Sequence, residues 1–351
     1  MSVRAPRFPR QRPLAVAFAL LALVAAPLAT AQEALLSPRF AFDPGVEMDP
    51  SVPSPAEFLG YELGTRYTFT HDVVRYVQAL AEASDRATVK EYGRTYEGRP
   101  LHVLTVTSAA NQGRIEALRE ANLHLASGEA LSAPEADALI AEHPVVVWLS
   151  YNVHGNEPSG SEAAMQVAYR LAAGQDAETR RYLDQAVVLI DPILNPDGRD
   201  RYVYWYSSMQ SDVLSTDAMD LEHDEPWPGG RTNHYWFDLN RDWVWLVHPE
   251  SRGRIAEYQR WLPQVHIDYH EQGFNNNYFT HPGTTPRNLL LPEALDEWSD
   301  AFGQADARAF DEHRISYFTG EAFDFFYPGY GSSYPSLMGS IGQILWRSVS
   351  T

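Results

Sequence analysis

Residues 143–160 read HPVVVWLSYNVHGNEPSG. From Val145 to Tyr151 the run is almost wholly apolar and rich in valine, which suits a strand buried on both faces. The next stretch, SGSEAAMQVAYRLAAG (159–174), reads as a helix, with Pro158 near its first turn and Gly174 as its stop. A buried strand leading directly into a helix is the repeating unit of a parallel sheet covered by helices. In such sheets functional side chains gather at the C-terminal strand ends. His154 and Glu157 lie in that connection. On its own, His-x-x-Glu fits either a metal-binding pair or a polar surface turn.

Two further buried-strand candidates lie downstream, QAVVLIDPIL (185–194) and LPQVHIDYH (262–270). Upstream, YTFTHDVVRYVQALAEAS has helical apolar spacing through Val73, Val74, Tyr76, Val77 and Leu80. TVKEYGRTYEGRPLHVLTVTS (88–108) reads as two strands joined at YEGRP. The predicted fold class is therefore α/β, a mostly parallel mixed central sheet with helices on both faces. His154, Asn195 and His270 fall at or just past predicted strand ends. A third ligand for His154 and Glu157 would have to come from elsewhere in the fold, and His270 is offered at another strand end. Two histidines and one carboxylate, with a fourth position left to water, form a hydrolytic zinc pattern.

Composition narrows the setting. Arg4, Arg7, Arg10 and Arg12 precede the apolar run LAVAFALLALVAAPLA, and ATA ends at Ala31, the pattern of a removed export signal (1–31). The run is too short and too broken for a spanning helix. A periplasmic or extracellular protein, with no membrane insertion after cleavage, is expected. Loss of the four signal arginines takes the formal charge from −19 to −23. Such an acidic chain argues against nucleic acid or an anionic membrane as partner. There is no cysteine, so a metal must be held by His, Asp or Glu. Residues 32–57 are Pro-rich and irregular, an arm laid on a single domain covering 58–351.

The ordered signatures TYEGRPL, HGNEPSG, NPDG, DLNRDW and DYH resemble the M14 zinc carboxypeptidases of the carboxypeptidase A type, over roughly 60 to 346. The resemblance implies one Zn2+ held by His154, Glu157 and His270, and peptide or protein C-termini as substrate. It makes Asn240 and Arg241 the pair that binds the terminal carboxylate, which a planar guanidinium grips bidentately. Asp238 resembles the acid that orients the first zinc histidine. An arginine that polarises the scissile carbonyl belongs after the NPDG turn. Arg201, beside Arg199, is given the role, with Arg231 a further possibility. Tyr327, in FFYPGYGSSYP, fits the tyrosine that closes over substrate slightly better than Tyr330.

One part of the pattern is missing. The resemblance requires a glutamate general base close to Trp346 or Arg347, yet the sequence reads ILWRSVST and holds no acidic residue after Asp324. The expectation is a domain incomplete at its C-terminus, short of its last strand or strands, with its activity in doubt. Glu271 is the obvious substitute, but as a strand neighbour of His270 it is expected to face the other way. A related zinc amidohydrolase acting on small acyl-amino acids and a non-catalytic zinc- or peptide-binding remnant stand as alternatives.

Overall fold

The computed structural model describes residue 42 and residues 44–127, 131–211, 213, 215–217, 219–273 and 276–348. Chain contacts separate Met1–Gly45 from a compact unit, Val46–Thr351. The expected signal, 1–31, lies outside the described residues. The later part of the Pro-rich arm belongs to the compact unit: Met48 bridges Gly174, and Val52 is buried.

An eight-stranded sheet runs in the order β1-β2-β4-β3-β5-β8-β6-β7. Its strands are β1 (Ala87–Arg94), β2 (Pro100–Val106), β3 (Val145–Tyr151), β4 (Ala186–Asp191), β5 (Val265–Gln272), β6 (Tyr278–Phe279), β7 (Tyr317–Phe318) and β8 (Ile341–Ser348). The four central strands, β4, β3, β5 and β8, are parallel. The hairpin β1–β2 joins antiparallel to β4.

Side chains alternate across a strand, and that alternation divides the core. Val147, Leu149 and Tyr151 of β3 face one way, with Val188 and Ile190 of β4, against the helices Thr70–Ala83 and Ser159–Ala173. Val146, Trp148, Val187 and Leu189 face the opposite way, against the helix Pro249–Trp261. Helices therefore cover both faces, as the buried valine runs predict.

The last strand left in doubt by the sequence is present. β8 runs parallel to β5 from Val265↔Ile341 to Gln272↔Ser348. Its apolar segment includes Ile344, which is buried, and it takes up hydrogen bonds along a strand that carries a predicted ligand.

Candidate metal centre

β3 ends at Tyr151, and the chain turns sharply at Asn152, which has a φ of 60°. Asparagine tolerates this left-handed region better than most residues. Its buried amide nitrogen donates to the carbonyls of His154 (2.7 Å) and Glu157 (2.9 Å), fixing the turn that carries both ligands. Arg199 secures the same turn from below. Its fully buried guanidinium donates to Asn152, to the Pro158 and Thr68 carbonyls, and to Glu162. Arg199 is thus a structural tie.

His154, Glu157 and His270 converge. All three are buried, and one ligand atom from each lies within 4.8 Å of the others. Each imidazole presents Nδ1 to the Glu157 carboxylate, at 2.7 Å for His154 and 3.0 Å for His270. Each Nε2 has an acidic neighbour instead, Asp238 at 3.0 Å and Asp268 at 2.8 Å. Two inward nitrogens and a carboxylate, with the outward nitrogens held by acceptors, fit a zinc ion.

The charge of each group is set by its neighbours. Burial alone would raise the Glu157 carboxyl, but the flanking imidazoles of His154 and His270 bring its pKa down to about 2. Burial would depress the His270 imidazole, and the Asp268 and Glu157 carboxylates raise it instead to about 10. Against its own burial, Asp238 is held well below the carboxylate range by His154, Arg231 and Arg241.

Of the arginines, Arg231 reaches the cluster. Its guanidinium donates to Asp238 at 2.9 Å and stands 3.6 Å from Glu157 while remaining partly exposed. Arg201 does not face the ligands, contrary to the role given it above. It donates to the carbonyls of Thr232 and Asn233, so it braces the segment that presents Arg231. Two apart on the helix Pro196–Met209, Arg199 and Arg201 point to different sides, the first to the Asn152 turn and the second to the Thr232–Asn233 segment.

Arg241 lines a cavity of about 260 Å³ with Asp238, Trp245, Val247 and Tyr327. Its guanidinium stacks over the Tyr330 ring at 4.7 Å. Asn240 parts from it. The buried Asn240 side chain accepts from the Gly331 amide (2.7 Å) and lies 3.0 Å from His270 Nε2, so it faces inward. Tyr327 holds the cavity's edge: its hydroxyl donates to the Arg241 carbonyl (2.9 Å) and accepts from the Trp245 indole (2.7 Å).

Glu271 points away, as expected. Its carboxylate accepts from Ser159 and from the Gly160 amide (3.1 Å), at the start of the helix Ser159–Ala173. Trp346, by contrast, pairs with His270 across β5 and β8 and stacks on the imidazole at 4.5 Å. Sequence reasoning missed Asn152 and Asp268. An asparagine directly after the predicted strand was the signal for the first, and the i, i+2 spacing from His270 on a strand for the second.

Among known proteins, the zinc carboxypeptidase family model matches residues 73–262. Probable carboxypeptidase 2 of Arthroderma benhamiae is 29% identical over 131 residues, 37% of this chain and 20% of that one. Carboxypeptidase E of Caenorhabditis elegans is 26% identical over 198 residues, 53% of this chain and 33% of that one. The chain thus spans a fifth to a third of the length of these relatives. Among solved structures, a metallo-carboxypeptidase from Burkholderia cenocepacia aligns with a TM-score of 0.53 at 18% identity, covering 80% of this chain and 60% of that one. Carboxypeptidase A from Helicoverpa armigera aligns at 0.52 and 19%, covering 83% and 68%. These last two likenesses bear on the fold alone. With the family model matching more than half of the sequence, the chain belongs to the M14 zinc carboxypeptidase family.

Proposed function

We propose that this chain is an exported metallocarboxypeptidase domain that binds one zinc ion and the C-terminal ends of peptides. The observation that carries the reading is the convergence of His154, Glu157 and His270. A bound zinc ion would polarise a scissile carbonyl and make water more acidic. Around it, Arg231 stands ready to hold the carbonyl oxygen as charge develops there. Arg241 binds the terminal carboxylate from the cavity wall, and Tyr327 borders the same cavity. Trp346 on the face of His270 favours a second reading, in which the domain binds peptides but turns them over slowly for want of a general base.

Metal analysis of the purified protein tests the first reading. We expect one equivalent of zinc in the wild type and a large loss in His154→Ala and His270→Ala. Equal, near-zero zinc in all three would end it. Release of C-terminal amino acids from blocked dipeptides, with and without chelator, separates turnover from binding. Export is tested by the mature N-terminus, expected at Gln32.

A further inference from the structure

We infer that Asp268 is a positioning residue for the metal centre, doing for His270 what Asp238 does for His154. The inference rests on the zinc reading above. The tautomer supplies the argument. If His270 gives Nδ1 to a metal beside Glu157, its Nε2 carries the proton and needs an acceptor. Two groups stand within hydrogen-bond distance of that nitrogen: Asp268 at 2.8 Å and the Asn240 amide nitrogen at 3.0 Å. The Asn240 oxygen is committed to the Gly331 amide, so its nitrogen is the end turned to the ring. An amide nitrogen donates and cannot accept, which leaves the Asp268 carboxylate as the acceptor.

The surroundings are built for that carboxylate. Asp268 is fully buried, and its second oxygen has no hydrogen-bond partner among the described residues. The buried Arg254 guanidinium, stacked on Trp243 at 3.9 Å, lies within its electrostatic reach. Gly331 leaves the space the carboxylate occupies: a Cβ there would lie 2.2 Å from the Asp268 oxygen. Asp268 and His270 are two apart on β5, so their side chains share a face. Each metal imidazole is thus backed by its own acid, one from a loop and one from the strand itself.

Zinc affinity, measured by competition with a chromophoric chelator, tests the assignment. We expect Asp268→Asn, nearly isosteric, to weaken zinc binding about 10–100-fold at unchanged stoichiometry, with the metal-free unfolding midpoint not lowered. Affinity within twofold of wild type would overturn the inference. Should the variant fail to fold, ring-nitrogen NMR of the zinc-loaded wild type decides. The proton of His270 belongs on Nε2 in a strong hydrogen bond, and finding it on Nδ1 would overturn the assignment. A wild type that takes up no zinc would defeat the functional reading itself, a result distinct from an Asp268 variant that binds as well as wild type.

Discussion

Asp191 ends β4 with one oxygen accepting the Tyr92 hydroxyl at 2.6 Å and the other without a partner among the described residues. Burial raises its pKa to about 7, against the opposing pull of Tyr92, Arg254 and the Ile193 amide. The unfolded chain releases this proton near pH 4, whereas the folded protein keeps it until about 7. Its contribution to stability is therefore fully present below about pH 4 and is lost as pH rises toward 7, a change on the order of 4 kcal/mol. Asp191→Asn keeps an acceptor for Tyr92 and never ionises. Urea titrations from pH 4 to 8 should show a flatter stability profile in the variant, and an identical slope would count against this account. At this scale the sequence was partly legible. His154, Glu157 and His270 were readable because strand ends and ordered motifs place them. The arginine beside the ligands was not singled out, since Arg231 stood only as a further possibility and only the folded path of residues 225–238 brings it, rather than Arg201, to Glu157.

Three separate segments meet at the site through glycine. A Cβ on Gly155 would lie 2.1 Å from the Arg199 nitrogen and 2.5 Å from the Gly230 carbonyl, and one on Gly198 would lie 2.3 Å from that same carbonyl. These obstacles are backbone, which cannot swing aside. Gly155→Ala is expected to cost about 3 kcal/mol or more and to reduce zinc uptake, as thermal unfolding and metal analysis would show. A variant of wild-type stability would contradict the packing described. Strands carry the second expectation at this scale. The register of β5 with β8 puts Trp346 on the face of His270. The resemblance left the missing base at either Trp346 or Arg347, and the register selects the first. Trp346→Glu should raise chelator-sensitive release from blocked dipeptides by about 10²–10⁴-fold, together with a loss of about 3–5 kcal/mol in stability from the vacated ring. No gain in a folded, zinc-loaded variant would remove Trp346 as the obstacle. Strand existence was legible from the valine runs. The survival of β8 was not, because its partner β5 is more than seventy residues away in sequence.

For the whole molecule, the ligands come from the ends of β3 and β5, two neighbours in the middle of an eight-stranded sheet. A metal there would link the connection after β3 to the end of β5. Free zinc at a thousand times its dissociation constant should add about 4 kcal/mol. We expect the melting temperature to rise with zinc and fall on chelation in wild type, but not in His270→Ala. A chelator-insensitive midpoint would place the metal outside the folding equilibrium. The layered architecture was readable from alternating apolar runs, while the order of strands across the sheet needed coordinates. Trp346 has one more consequence. Its indole lies between the His270 imidazole and the Phe323 ring, in near-parallel contact with both. A fluorophore in van der Waals contact with a ligand imidazole is an optical gauge of the metal seat, one that a quenching ion such as cobalt would darken on arrival.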